Sequence, residues 1–264
     1  MTSLDEPLLR ISDLTVSIGG GPLLDIDELA VARGEIVGLV GESGAGKSLM
    51  QAAILRVLPK DARTSGSIRF DGEELLSASE RHMRTIRGRR IAVVLQAARA
   101  ALTPTLRAGT WIDRALALHG VPRAERAARL QHALAAVRLD GRLLERYPHE
   151  LSGGEAQRVS IALAVALRAD LVLADEATSA LDVTVQAEVA ELFRELRESE
   201  GTSFLMVSHD LALVAGLADR ISIIAAGRIV ERGGPEVLER PADPVTRALV
   251  EAKPSLPRAA EGGT

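Results

Sequence analysis

The chain has 264 residues, 47% hydrophobic and 26% charged, which excludes a disordered protein and gives ample core for one large domain or two small ones. With no cysteine it cannot be a disulfide scaffold, a thiolate zinc protein, a cysteine-ligated iron–sulfur protein or a cysteine-nucleophile enzyme. A net charge of −4 and an aromatic content of 2% argue against a nucleic-acid partner, and no apolar run approaches the ~20 residues that cross a membrane.

Asp5 and Glu6 stand where a secretory leader carries positive charge, and no apolar leader core follows. The expectation is a protein that stays inside the cell unless a partner anchors it. Leu14, Val16 and Ile18 then alternate at the strand period of two, up to a Gly-Gly-Gly-Pro break at 19–22. Leu29 and Val31 lead into a second turn at Arg33 and Gly34. Residues 36–40 read as a buried strand, short and β-branched, with a Gly-rich loop behind it. A helix follows over 48–58, stopped by Pro59. Ile68 and Phe70 lead into a turn at Asp71 and Gly72, and 91–95 is a further buried strand.

From 110 to 146 the pattern turns helical and rich in Ala, Leu and Arg, and helical periodicity returns over 155–168. Strands at 171–174 and 203–207 flank a helix at 185–197. A hairpin over 221–225 and 228–231 turns at Ala226 and Gly227. Strands alternating with helices imply an α/β fold with a mainly parallel central sheet. The helical stretch at 97–150 interrupts the alternation and reads as an inserted subdomain. The residues from Lys253 read as a loose tail.

Three motifs carry chemistry. Gly41-Glu42-Ser43-Gly44-Ala45-Gly46-Lys47-Ser48 fits the phosphate-binding loop G-x-x-x-x-G-K-[ST], between an apolar strand and a helix. Glycines let backbone N–H groups curl around an anion without Cβ clashes, and the helix start adds further donors. Lys47 is placed to reach the β- and γ-phosphates, and the Ser48 hydroxyl to ligate Mg²⁺. The second motif is a buried strand that ends in Asp175 and Glu176, at the strand end where open α/β sheets bind ligands. Asp175 would hold Mg²⁺ and Glu176 would polarise the attacking water. The third is Leu151-Ser152-Gly153-Gly154-Glu155. Ser152 and Glu155 make a capping box for the next helix. The same hydroxyl and the glycine N–H groups also make an anion site. Both readings can hold together.

The order of these motifs, the third continuing through Ala156-Gln157-Arg158, with Gln96, Ser179-Ala180-Leu181-Asp182 and His209 resembles the ATP-binding-cassette ATPases, over about 8–250. The resemblance implies a P-loop NTPase core with a small antiparallel β-subdomain and the inserted α-helical subdomain. It implies one ATPase domain over 1–250, with a catalytic core in 1–96 and 151–250, a helical subdomain in 97–150 and a flexible tail at 251–264. Gln96 is then expected at Mg²⁺ and the attacking water, His209 at the γ-phosphate and Leu49 beside the nucleotide. ATP is expected between the P-loop of one subunit and the Ser152–Glu155 signature of another, with Asp182 in a loop facing that subunit.

Within the family the chain is similar to the peptide/nickel importer subgroup, through Tyr147-Pro148-His149-Glu150, Leu181-Asp182-Val183-Thr184-Val185-Gln186 and the Pro-Ala-Asp-Pro-Val-Thr-Arg-Ala-Leu stretch at 241–249. That implies uptake of small peptides, nickel or a chelated metal. The implied partners are a second, paralogous cassette, two transmembrane permease subunits and an extracytoplasmic solute-binding protein, with no nucleic acid. The implied place is the cytoplasmic face of the inner membrane. Three departures stand out. Ile18 occupies the place of the aromatic that stacks on adenine, Ala177 that of a proline, and Val245 that of a tyrosine. The segment 97–111, ending on the only Trp, is expected to dock on a membrane partner, with Trp111 as anchor or as core. A non-transport cassette is the alternative class; one P-loop, a short insertion and negative charge weigh against it. A degenerate cassette that binds without turnover is weighed against by Glu176 and His209.

Overall fold

The computed structural model describes residues 6–179 and 181–252; the expected tail from 253 onward lies outside them. In chain order the elements begin with β1 (Leu9–Ile18), β2 (Gly21–Val31), β3 (Ile36–Val40), α1 (Lys47–Ile54), β4 (Arg63–Phe70) and β5 (Glu73–Glu74). Next come α2 (Glu80–Ile86), β6 (Ile91–Leu95), α3 (Ala98–Ala101), α4 (Ala108–Leu118), α5 (Arg123–Ala136), two short 3₁₀ turns, α6 (Gly153–Leu167), β7 (Leu171–Asp175) and α7 (Val183–Glu200). The chain continues with β8 (Ser203–Ser208), α8 (Leu211–Leu217), β9 (Arg220–Ala225), β10 (Arg228–Gly233), α9 (Glu236–Glu239) and α10 (Pro244–Glu251). The residues group into two compact units, one holding the chain up to Ala78 and from Leu205 onward, the other Ser79–Phe204.

In the first unit β1 pairs antiparallel with β2 on one side and β4 on the other, and β5 completes the small sheet. Its register sets Leu9 opposite Val31, Ile11 opposite Leu29, Leu14 opposite Ile26 and Val16 opposite Leu24. All eight side chains are buried, at period two on either side of Asp13, whose left-handed backbone (φ 48°) shifts the alternation by one residue. The same unit carries β3 with β9 parallel beside it (Val40 opposite Ile223), β10 antiparallel on the far side of β9, and β8 next to β3. Every residue of β3 is buried, as expected of a strand covered on both faces.

The second unit pairs β6 and β7 in parallel, residue for residue from Ile91 opposite Leu171 to Leu95 opposite Asp175. Helix α6 packs on α4 and α5 as well as on β6. It is therefore buried on most of its circumference, including Val159, Ile161, Ala162 and Ala166. Phe193 of α7 and Phe204 stack at a tilt, 5.0 Å between ring centroids.

Two boundaries differ from the sequence pattern for a physical reason. Helix α1 stops at Ile54 rather than 58, because Arg56 takes a left-handed backbone (φ 52°). Its N–H bonds Ala53 O at 3.0 Å, and Val57 N–H bonds Ala52 O at 2.9 Å, the paired bonds of a Schellman ending that usually needs Gly. Helix α7 begins at Val183, two residues before the expected start, because the Asp182 carboxylate caps it by accepting the Val185 N–H at 3.0 Å. The short helices α8 and α10, which the apolar pattern does not announce, also begin on aspartates, Asp210 and Asp243.

A Cβ on Gly38 would lie 2.3 Å from Cγ1 of Val214, so glycine is what lets α8 seat against β3. Gly38→Ala is expected to cost about 1–3 kcal/mol in denaturant unfolding. The double variant with Val214→Ala should lose less than the two single losses summed; strict additivity would show that this contact does not set the spacing.

Candidate functional site

The P-loop is shaped by close backbone approaches. A Cβ on Gly41 would sit 2.2 Å from the Ile224 carbonyl oxygen, and one on Gly46 would sit 2.5 Å from Leu24 Cδ2. Gly44 and Gly46 also have left-handed backbones, φ 80° and 110°. Gly227 N–H donates to Ala45 O at 3.0 Å, tying the loop to the β9–β10 turn. Lys47 is only 7% exposed. Its Nζ donates to the carbonyl oxygens of Gly41 and Glu42, both at 2.7 Å, so the ammonium is held across the loop. Helix α1 starts at Lys47 with Gly46 as N-cap and no side-chain cap. Its first N–H groups are thus available to an anion, and the loop fits a polyphosphate. Ser48 and Ser43 are exposed beside it, and Leu49 is half-buried.

In the same unit His209 follows β8, exposed, in a turn where Asp210 N–H bonds Ser208 Oγ at 2.9 Å and Asp210 caps α8. Ile18 closes β1 opposite Gly21 and is half-buried. Helix α10 brings Val245 and Leu249 to the outer side of the P-loop, where they line a hollow of about 150 Å³. Motif spacing does not reveal this neighbour, because α10 lies some two hundred residues downstream of the loop and carries no phosphate chemistry.

In the second unit the parallel register does the placing. Leu95 is opposite Asp175, so Gln96 and Glu176 are the next residues at the C-terminal ends of adjacent strands. Glu176 has a left-handed backbone, φ 46°. Its carbonyl accepts from Ser179 N–H at 3.1 Å and Ser179 Oγ at 3.0 Å, while Ala177 and Thr178 are buried beneath the turn. This local strain persists because its neighbours fix it. No signal in the sequence marks it, since Glu carries no preference for positive φ.

The signature segment is a complete capping box. Glu155 N–H bonds Ser152 Oγ at 3.2 Å, and Ser152 N–H bonds Glu155 Oε2 at 2.7 Å. Ser152 and Gly153 are exposed at the start of α6. A Cβ on Gly154 would be 2.7 Å from Val185 Cγ1, and one on Gly153 would be 3.3 Å from Leu181 Cδ2, so the glycines lie against the turn that carries Asp182. Two contacts that the motif pattern does not predict tie this segment to the chain around Gln96. The buried Gln157 amide reaches Leu95 O at 3.4 Å, and the Arg99 guanidinium donates to Leu151 O. Trp111 is half-buried on α4.

Among the described residues no cluster of three or more His, Asp or Glu side chains could hold a metal ion, and no helix is long and apolar enough to cross a membrane. A glycine loop closed on its own lysine, between a buried strand and an uncapped helix, defines a P-loop nucleotide-binding protein of the α/β class. Residues 24–179 match the family model described as ABC transporter. The probable peptide ABC transporter ATP-binding protein y4tR of Sinorhizobium fredii is 44% identical over 86% of this chain and 70% of its own length. The peptidoglycan transport ATP-binding protein YejF of Agrobacterium fabrum is 41% identical over 94% of this chain, which spans 47% of that protein. A solved dimer of the ATP-binding cassette MJ0796, in a post-hydrolysis state with ADP and Pi, superposes with a TM-score of 0.74 at 26% identity, covering 86% of this chain and 98% of that one. The chain belongs to the ABC transporter family and is an ATP-hydrolysing cassette of it. Such cassettes work as dimers with membrane permease subunits.

Gly46→Ala should cost more stability and more nucleotide affinity than Gly44→Ala, whose Cβ meets nothing within 4 Å. The Gly44 change carries only the left-handed backbone penalty, about 1–2 kcal/mol. Thermal melts and nucleotide titrations of the two variants check the order; equal losses would mean that Leu24 simply moves aside.

Proposed function

We propose that this cassette hydrolyses ATP with Mg²⁺ to power import of peptides through separate permease subunits. The observation that carries the reading is Lys47, held across the P-loop by two backbone carbonyls; in this reading its ammonium takes the charge of the β- and γ-phosphates. The cargo rests on y4tR, which is named for peptide transport and so favours peptides over nickel or a chelated metal.

Each site residue takes a role in this reading. The backbone N–H groups over Gly41, Ser43, Gly44, Ala45 and Gly46, with Lys47, hold the phosphates, and Leu49 supports the helix start behind them. For Mg²⁺, Ser48 in the first unit and Asp175 and Gln96 in the second each offer a hard oxygen donor of the kind the ion takes. When bound, Mg²⁺ would spread the charge that develops on the phosphates. Glu176 accepts the proton of the attacking water, and His209 contacts the γ-phosphate. Ser152, Gly153, Gly154 and Glu155 act on the nucleotide of a second cassette, which Asp182 faces. That second cassette is a paralogue in a heterodimer. Ile18 gives the base an aliphatic contact in place of a stack, so the triphosphate carries most of the affinity. The helical subdomain at 97–150 docks on the permease through 97–111. The assembly sits at the cytoplasmic face of the inner membrane and receives cargo from an extracytoplasmic solute-binding protein.

Glu176→Gln should keep ATP binding, slow hydrolysis at least ~10²-fold and leave ATP holding the dimer closed, because Gln is isosteric but takes no proton. Normal turnover would remove Glu176 as the base. For the cargo, the cassette copurified with its permeases and reconstituted in vesicles should take up peptides only with ATP inside. Uptake of a metal salt and no peptide would overturn the peptide reading.

A further inference from the structure

Gln96 is bracketed by two contacts to α6. On its N-terminal side the Leu95 carbonyl accepts from Nε2 of Gln157 at 3.4 Å, and Gln157 is only 1% exposed. On its C-terminal side α3 begins two residues later, and the Arg99 guanidinium on that helix donates to the Leu151 carbonyl. Leu151 is 2% exposed and immediately precedes the N-cap Ser152. Its carbonyl lies outside the helical ladder, whose first acceptor is Ser152 O, bonded by Ala156 N–H at 3.0 Å. Arg99 therefore grips the chain at the point where α6 starts, and Gln157 grips it a turn further in.

We propose that Arg99 and Gln157 are positioning residues that carry a displacement of Gln96 into the signature segment. The proposal rests on the function proposed above for Gln96, Ser152 and Gly153. The geometry favours transmission over simple bracing. Arg99 sits on a rigid turn of helix only three residues past Gln96, so the two move together. The other end of the link is stiff as well: the capping box fixes Ser152 to Glu155, and Arg158 fixes α6 to the end of α5 through Val137 O at 2.9 Å and to α7 through Glu188 at 2.7 Å. Ser152 and Gly153 remain exposed at the tip of that stiff body. A pull on Leu95 or Leu151 therefore reappears at the surface that meets the partner's nucleotide. The state of one ATP site is in this way reported to the other.

The test uses the full chain with Arg99→Met, Arg99→Lys and Gln157→Leu. Arg99→Met keeps length and removes the donor; Arg99→Lys keeps a donor to the carbonyl. For Arg99→Met we expect nucleotide affinity of the single cassette within about twofold of wild type, kcat lower by about tenfold with KM little changed, and weaker ATP-driven dimerisation in the Glu176→Gln background. Arg99→Lys should restore most of kcat. Gln157→Leu should repeat the kcat loss, and combining it with Arg99→Met should add little, because both break one link. Unchanged kcat and dimerisation in Arg99→Met would overturn the proposal. So would a loss that follows the melting temperature and is not rescued by Lys. If wild type binds ATP but never dimerises with it, the trans role of the signature fails first, and the failure is read from wild type alone.

Discussion

The site depends on how one ammonium is held. Lys47 is almost fully buried, and burying a charge is costly unless polar partners receive it. Two carbonyls of its own loop do so. They orient the ammonium without neutralising it, because a carbonyl is a dipole and carries no net charge. For both to point at one nitrogen, residues 41–46 must wrap tightly, and the wrap brings Gly41 against Ile224 and Gly46 against Leu24. The glycines, the buried β3 that launches the loop and the uncapped start of α1 are thus conditions of one electrostatic arrangement.

In the function proposed above, the signature segment makes a structural device and a binding device out of the same atoms. Ser152 Oγ accepts the Glu155 N–H, which leaves its own proton to donate elsewhere. The helix end is therefore ordered before any ligand arrives, and ordering costs on binding are small. Gly154 lets α6 approach Val185, and Asp182 caps the helix on which Val185 sits. The motif's chemistry and its packing cannot be changed separately.

Much of this was legible in the sequence. Strand β6 falls where its apolar run predicts, β3 where its β-branched run does, and the hairpin of β9 and β10 turns at the expected Ala226 and Gly227. Strands β3 and β6 declare themselves because burial leaves an uninterrupted apolar run, and the hairpin does so through its turn residues. The ends of helices were less legible. Arg56 takes a conformation that composition assigns to glycine, and the Asp182 cap carries α7 past the apolar pattern. In the site, residue types identified the loop and the acidic strand end. Gln157 stands in the signature stretch, but its contact, like those of Arg99 and α10, was invisible, because it depends on tertiary placement and not on residue type.

The left-handed backbone of Glu176 has a consequence for how this chain can evolve. A side chain at φ 46° is less comfortable than glycine would be. Drift toward greater stability therefore pushes this position toward glycine, which brings no side chain and so no carboxylate. With Glu176 as the base proposed above, function and robustness select in opposite directions at a single codon. A lineage released from the need for turnover should lose this acid early, while the P-loop, whose glycines are demanded by packing as well as by phosphate, would outlast the activity it serves.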